Sequence, residues 1–234
     1  MRLQVDAILF DLDGTLIEPV IDFTELKSRV LEVCTEAGVD ASRWASQPAL
    51  EIIAQAVEEL EDDDADRARN LAINADRAII QIELEAAARV QPYPGVQRML
   101  QALIDEGYKI GIVTRNCRAA VDRVLERWPL PHQVLLTRDD VGHVKPDPRH
   151  LDAALDALEA RDADVLMVGD HPMDIAAGRA IGAMTVLVRT VHMSEERIGQ
   201  AAPDLVLDRI VDLMEHLDGH RCTNGARRGS WERG

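Results

Sequence analysis

Ala7-Ile8-Leu9-Phe10-Asp11-Leu12-Asp13-Gly14-Thr15-Leu16 is the stretch from which the fold of this chain is read. Four consecutive apolar residues, closed by a glycine turn, read as a short strand buried on both faces, as in a parallel sheet. Two carboxylates, Asp11 and Asp13, leave the C-terminal end of that strand. Strand alternation sends both to the same side. In open α/β sheets that end of a strand is where ligands bind. Carboxylates this close repel one another and invite a metal cation. One is then a candidate nucleophile and the other a candidate acid/base. An Asp-x-Asp pair alone is more often an acidic loop, so the weight rests on the longer string.

The bulk composition narrows the field. The chain has 234 residues, enough for one large domain or one domain with a sizeable insertion. Aromatics are only 3% of a 47% hydrophobic chain, so the core is built from Leu, Val, Ile and Ala. A net charge of −16 argues against nucleic-acid backbone and anionic membrane as partners. It also repels an anionic substrate, unless a bound cation and a local Lys or Arg offset the field. The N-terminus lacks a signal-peptide pattern, and no stretch approaches the ~20 apolar residues of a membrane span. Cys34, Cys117 and Cys222 are odd in number and widely spaced, giving neither a disulfide framework nor a zinc spacing, so a cytoplasmic setting is expected.

From about Pro19 to Val90 the pattern is helical, with apolar residues at helical intervals and Gly38 and Pro48 as punctuation. The acidic run Glu58–Asp64 reads as a solvated helix end. After the loop Gln91–Gly95, a helix is expected over Val96–Asp105. Strands over 109–113, 133–137, 164–169, 184–188 and 204–207 then alternate with helices over 119–128, 149–160 and 174–181. Alternation of this kind implies a doubly wound parallel α/β sheet with right-handed crossovers, interrupted early by an all-helical insertion. The core is expected over 1–18 and 91–218, and the insertion over 19–90. The basic tail 219–234, with Arg221, Arg227, Arg228 and Arg233, reads as disordered.

Three further segments carry candidate chemistry. Thr114-Arg115-Asn116 follows a strand, where a hydroxyl and the N–H groups of a helix start can hold a phosphate oxygen. Val144-Lys145-Pro146-Asp147-Pro148 holds a lysine beside prolines that bias the backbone against helix. Val168-Gly169-Asp170-His171-Pro172-Met173-Asp174 places one carboxylate at a strand end and a second one turn later, where it also suits a helix N-terminus. Cys117 follows at a helix start that favours thiolate; the plainer reading is a small inert residue. The histidines show no metal spacing.

In this order, the four segments resemble the motifs of the haloacid dehalogenase-like superfamily, in its phosphoglycolate phosphatase-like branch. The resemblance spans the core and identifies the 19–90 insertion as the family's helical cap. It implies a Mg²⁺-dependent phosphatase of a small phosphorylated metabolite, monomeric or homodimeric. Asp11 would be the nucleophile that forms an aspartyl-phosphate, and Asp13 the acid/base. Thr114 and Lys145 would hold the phosphoryl oxygens, with Gly14, Arg115 and Asn116 also at the phosphate or substrate. The metal would be held by Asp11, Asp13 through its backbone carbonyl, Asp170 and Asp174. Glu18, Asp22, Lys27 and Arg43 are candidates to face the leaving group, and the loops 17–21 and 90–95 to act as hinges. The segment Ile17–Phe23 departs from the Asp-Ser pair common in phosphoglycolate phosphatases, which detaches the reading from glycolate. Two alternatives share parts of this chemistry: a sugar phosphomutase using the same intermediate, and a phosphorylatable receiver-like or binding domain.

Overall fold

The computed structural model describes residues 3–190 and 193–218. The tail 219–234, with Cys222, lies outside the described residues, as does His192. Six strands form one sheet: β1 (Ala7–Phe10), β2 (Lys109–Val113), β3 (Val134–Leu136), β4 (Val165–Gly169), β5 (Met184–Val188) and β6 (Leu205–Leu207). They lie in the order β3-β2-β1-β4-β5-β6 and all five pairings are parallel. This is the expected doubly wound sheet. β1 is central because each of its residues is apolar and fully buried, as a strand covered on both faces must be.

The faces follow from the period of two. Ile8 and Phe10 pack with Ile110, Ile112, Leu166 and Val168 under α4 (Val96–Asp105), α5 (Arg118–Arg127) and the 3₁₀ turn Ile210–Glu215. Ala7, Leu9 and Met167 face the other way, against α6 (Arg149–Ala157) and α7 (Pro172–Ala180). The short helix α8 (Glu195–Ala201) packs Ile198 on Ile175 and Leu187.

Between β1 and α4 the chain forms α1 (Phe23–Glu36), α2 (Ala49–Glu61) and α3 (Ala65–Ala87). Asp22 caps α1 by accepting the Thr24 and Glu25 N–H groups, and Asp64 caps α3 through the Arg67 N–H. The three helices bury an apolar cluster of their own, including Val30, Ile52, Ala56, Leu71, Ala75 and Ile79. Two short connections join this helical segment to the sheet. They run side by side, with Glu18 N–H donating to Gln91 O at 2.9 Å and Tyr93 N–H to Leu16 O at 3.1 Å.

Candidate active site

The strand order reverses between β1 and β4, which opens a crevice at their C-terminal ends, the usual ligand position in such sheets. Parallel register sets Phe10 beside Val168, and the Asp11 N–H donates to Val168 O at 2.8 Å. Asp11 therefore leaves the sheet next to Gly169 and Asp170. Carboxylate oxygens of Asp11, Asp170 and Asp174 all lie within 4.8 Å of one another. Lys145 is fully buried, and its Nζ donates to Asp11 Oδ1 at 2.5 Å and pairs with Asp174 Oδ1 at 2.8 Å.

Two glycines make room for this cluster. Gly14 turns with φ +82°, and a Cβ there would sit 2.3 Å from Asp170 Oδ2. A Cβ on Gly169 would lie 2.3 Å from Asp174 Oδ2. Asp174 is held by a capping box at the start of α7: it accepts the His171 N–H at 3.1 Å, while the His171 ring accepts the Met173 N–H at 3.2 Å. His171 is thus a helix cap beside the site.

Asp13 stands apart from the three-carboxylate group, among the residues after β2. Thr114 Oγ1 donates to it at 3.4 Å and Asn116 Nδ2 at 3.2 Å. The Thr114 N–H is fixed to Leu136 O at 2.9 Å, and Thr114 Oγ1 accepts the Asn116 N–H at 3.1 Å. Arg115 reaches outward from the same turn, donating to Lys145 O at 3.0 Å and to Glu51 of α2 at 2.8 Å.

Burial sets the electrostatics. It raises Asp11 to about 7, against the opposing Lys145 charge and with help from Asp174 and Asp13. It raises Asp170 to about 9, with the Asp11 and Asp174 charges adding. Asp13 rises to about 6, burial outweighing its hydrogen bond from Asn116. Burial works against the Lys145 charge, but Asp11 and Asp174 hold its pKa above the ordinary value. Buried carboxylates crowded in this way are stabilised by a cation. A donor set of oxygens only suits a hard divalent ion such as Mg²⁺ rather than zinc.

Several residues lie elsewhere than the sequence suggests. Asp22 is spent as a helix cap. Lys27 donates to Ala45 O at 3.0 Å, and Arg43 pairs with Glu59 and lies over the Trp44 ring. All three have partners within the helical segment. Glu18 lies in the connection that follows β1, close enough to raise the Tyr93 pKa, after burial and Asp170. Cys117 is buried, and burial together with a hydrogen bond to Glu83 pushes its thiol up to about 12. The nearby glutamate and the loss of water both disfavour a thiolate, in line with the plainer reading of Cys117 as a small inert residue.

Sequence reading also missed four residues. Glu83 and Arg138 form a buried ion pair at 2.6 Å between α3 and the turn after β3, and Glu83 also accepts the Cys117 N–H. Glu83 has a sequence signal: it continues the Leu71-Ala75-Ile79 stripe at a spacing of four, where an acid is out of place. Glu51 has no such signal. His150 accepts the Lys145 N–H at 3.3 Å, and burial with the Lys145 and Arg115 charges lowers its pKa to about 3.

A parallel sheet with an acidic cluster and a buried lysine at its switch point places the protein among the α/β enzymes that act on anionic ligands. Residues 8–188 match the haloacid dehalogenase-like hydrolases, and the chain belongs to that family. It is 40% identical over 130 residues to a protein of Bacillus mycoides named pyrophosphatase PpaX, covering 55% of this chain and 60% of that one. A solved hydrolase from Pseudomonas syringae superposes with a TM-score of 0.65 at 23% identity, over 90% of this chain and 97% of its own. A HAD phosphatase from Thermococcus onnurineus does so with a TM-score of 0.56 at 21% identity, over 92% and 97%. The two structures share the fold. The chain spans 60% of the length of the Bacillus relative. No helix among the described residues is long and apolar enough to cross a membrane.

Proposed function

We propose that this protein is a Mg²⁺-dependent phosphatase of a small phosphate monoester, working through an aspartyl-phosphate on Asp11. The observation that carries this reading is the convergence of Asp11, Asp170, Asp174 and Lys145 at the sheet's switch point, with Thr114 and Asp13 beside them.

Asp11 attacks the phosphoryl group in line and the leaving oxygen departs with the proton that Asp13 carries. Asp13 then takes a proton from the water that attacks the aspartyl-phosphate, releasing phosphate and restoring Asp11. Its hydrogen bonds from Thr114 and Asn116 fix its orientation for both steps. Lys145 and the Thr114 hydroxyl take the equatorial oxygens, and Gly14 lets the loop close on the phosphate. Asp11, Asp170 and Asp174, with the Asp13 carbonyl, would hold Mg²⁺, which supplies Lewis-acid charge offsetting the phosphoryl oxygens.

In this reading residues 19–90 are a cap that excludes water and chooses the leaving group, and the core of 1–18 and 91–218 handles the phosphate. The paired connections at 17–21 and 90–95 serve as hinges. The setting is cytoplasmic and the substrate a soluble metabolite, and Cys34 and Cys117 carry no disulfide.

The test is phosphate release from phosphoglycolate, sugar phosphates, nucleotides and pyrophosphate, the last suggested by the name of the Bacillus relative. It is run with and without Mg²⁺ on wild type and Asp170→Asn. Metal-dependent release weakened in the variant supports the assignment. Isomerised sugar phosphate without release would replace it with phosphomutase chemistry, and no turnover of any ester would remove it.

A further inference from the structure

Two Arg–Glu pairs tie the helical segment to the core, and they differ in kind. Arg138–Glu83 is sealed, with side-chain exposures of 7% and 6%. Opening it strands a buried charge. Arg115–Glu51 is closer to solvent, at 15% and 33%. A pair in such a place contributes little and opens readily.

Arg115 also bridges the core side of the site and the helical segment. It follows Thr114, and its guanidinium donates to Lys145 O and lies 3.1 Å from Met173 Sδ in the first turn of α7, so it joins the segments after β2 and around Lys145 to the start of α7. Its remaining partner, Glu51, comes from the helical segment. Lys145, the other cation at the centre, is already taken by Asp11 and Asp174. On a chain of net charge −16, an anionic leaving group needs a local cation. A guanidinium fork matches a carboxylate or phosphate.

The geometry points to Arg115 as the residue that selects esters whose leaving group carries a negative charge of its own. Glu51 occupies its Nη2 as a resident carboxylate until such a group displaces it. This rests on the phosphatase reading and adds a substrate class to it. Glu51 leaves when the incoming anion takes its place on Arg115, so one charge-assisted contact is exchanged for another. A neutral leaving group makes no such exchange and leaves the Glu51 contact closed.

The experiment measures kcat/KM for phosphoglycolate, whose leaving group, glycolate, carries a carboxylate, and for glycerol phosphate, whose leaving group, glycerol, carries no charge. Wild type, Arg115→Met, Arg115→Lys and Glu51→Gln are compared in Mg²⁺. The ratio of the two values is the readout. Arg115→Met should lower the ratio about tenfold or more, mainly through KM for phosphoglycolate. Arg115→Lys should fall between wild type and Met, and it serves if the Met variant does not fold. Glu51→Gln should raise the ratio about two- to fivefold by removing the competitor. Equal losses on both esters in the Arg115 variants, or an unchanged ratio in Glu51→Gln, would overturn the proposal and leave the phosphatase reading standing. No hydrolysis of either ester or of any other by wild type would remove both.

Discussion

Replacing Glu83 by Ala removes the carboxylate that joins α3 to the loops around the site. Glu83 accepts two contacts from Arg138 Nη1, at 2.6 and 2.7 Å, and the Cys117 N–H at 3.1 Å. Breaking a buried ion pair from one side costs about 3–5 kcal/mol, because the surviving charge stays desolvated. Arg138 keeps weaker partners, the Arg115 carbonyl at 3.2 Å and Asp76 at 3.4 Å, and Cys117 N–H keeps Asn116 Oδ1 at 3.1 Å. The loss should therefore fall at the low end, about 3 kcal/mol, which lowers Tm by about 6–12 °C for a chain of this size. Urea denaturation and calorimetry measure it. The double variant Glu83→Leu/Arg138→Met should recover much of the loss, since neither charge is then left buried. A Glu83→Ala protein within about 1 kcal/mol of wild type, or a double variant as unstable as the two singles summed, would refute the reasoning.

Three other predictions follow from particular side chains. Gly14→Ala should abolish phosphate release, measured against any ester the wild type turns over, because its Cβ collides with Asp170 at a positive φ. His150 is neutral in the fold, with its pKa lowered to about 3 from an unfolded value of 6.5. The unfolded chain therefore binds a proton first, so stability holds above pH 6.5 and declines as pH falls towards 3. His150→Asn should flatten that part of the urea-derived stability–pH curve, and a curve parallel to wild type would count against it. Cys117, with its thiol pushed up to about 12, should resist iodoacetamide at pH 8 in the folded protein and react once urea unfolds it.

The core was legible because its strands are mostly apolar runs: Ala7–Phe10, and Met184–Val188 with only Thr185 polar, carry their burial in their composition. The four site segments were legible because each sits at a strand end or helix start. Helix ends were less so. The helix expected over 149–160 stops at Ala157, and Glu159 takes a φ of 52° with no glycine to announce it. The helix expected from Asp174 starts at Pro172, which the proline-first rule would have shown. α8 and the 3₁₀ turn Ile210–Glu215 are too short to display a period. The Arg115–Glu51 and Arg138–Glu83 pairs join residues 64 and 55 positions apart, and only folding brings them together. Lys27 and Arg43 found partners inside the helical segment for the same reason, set by packing that one-dimensional spacing does not encode, whereas Asp22 caps α1 through N–H groups two and three residues on, a local signal.

The central claim is that Asp11 becomes phosphorylated. The most direct measurement is mass analysis of acid-quenched protein during turnover of its best ester in Mg²⁺, on wild type and Asp11→Asn. The account predicts one added phosphoryl group on the peptide that contains Asp11, and neither that group nor phosphate release in the variant. Phosphate release at the wild-type rate from Asp11→Asn, with no phosphoryl group on Asp11 in the wild type, would contradict it.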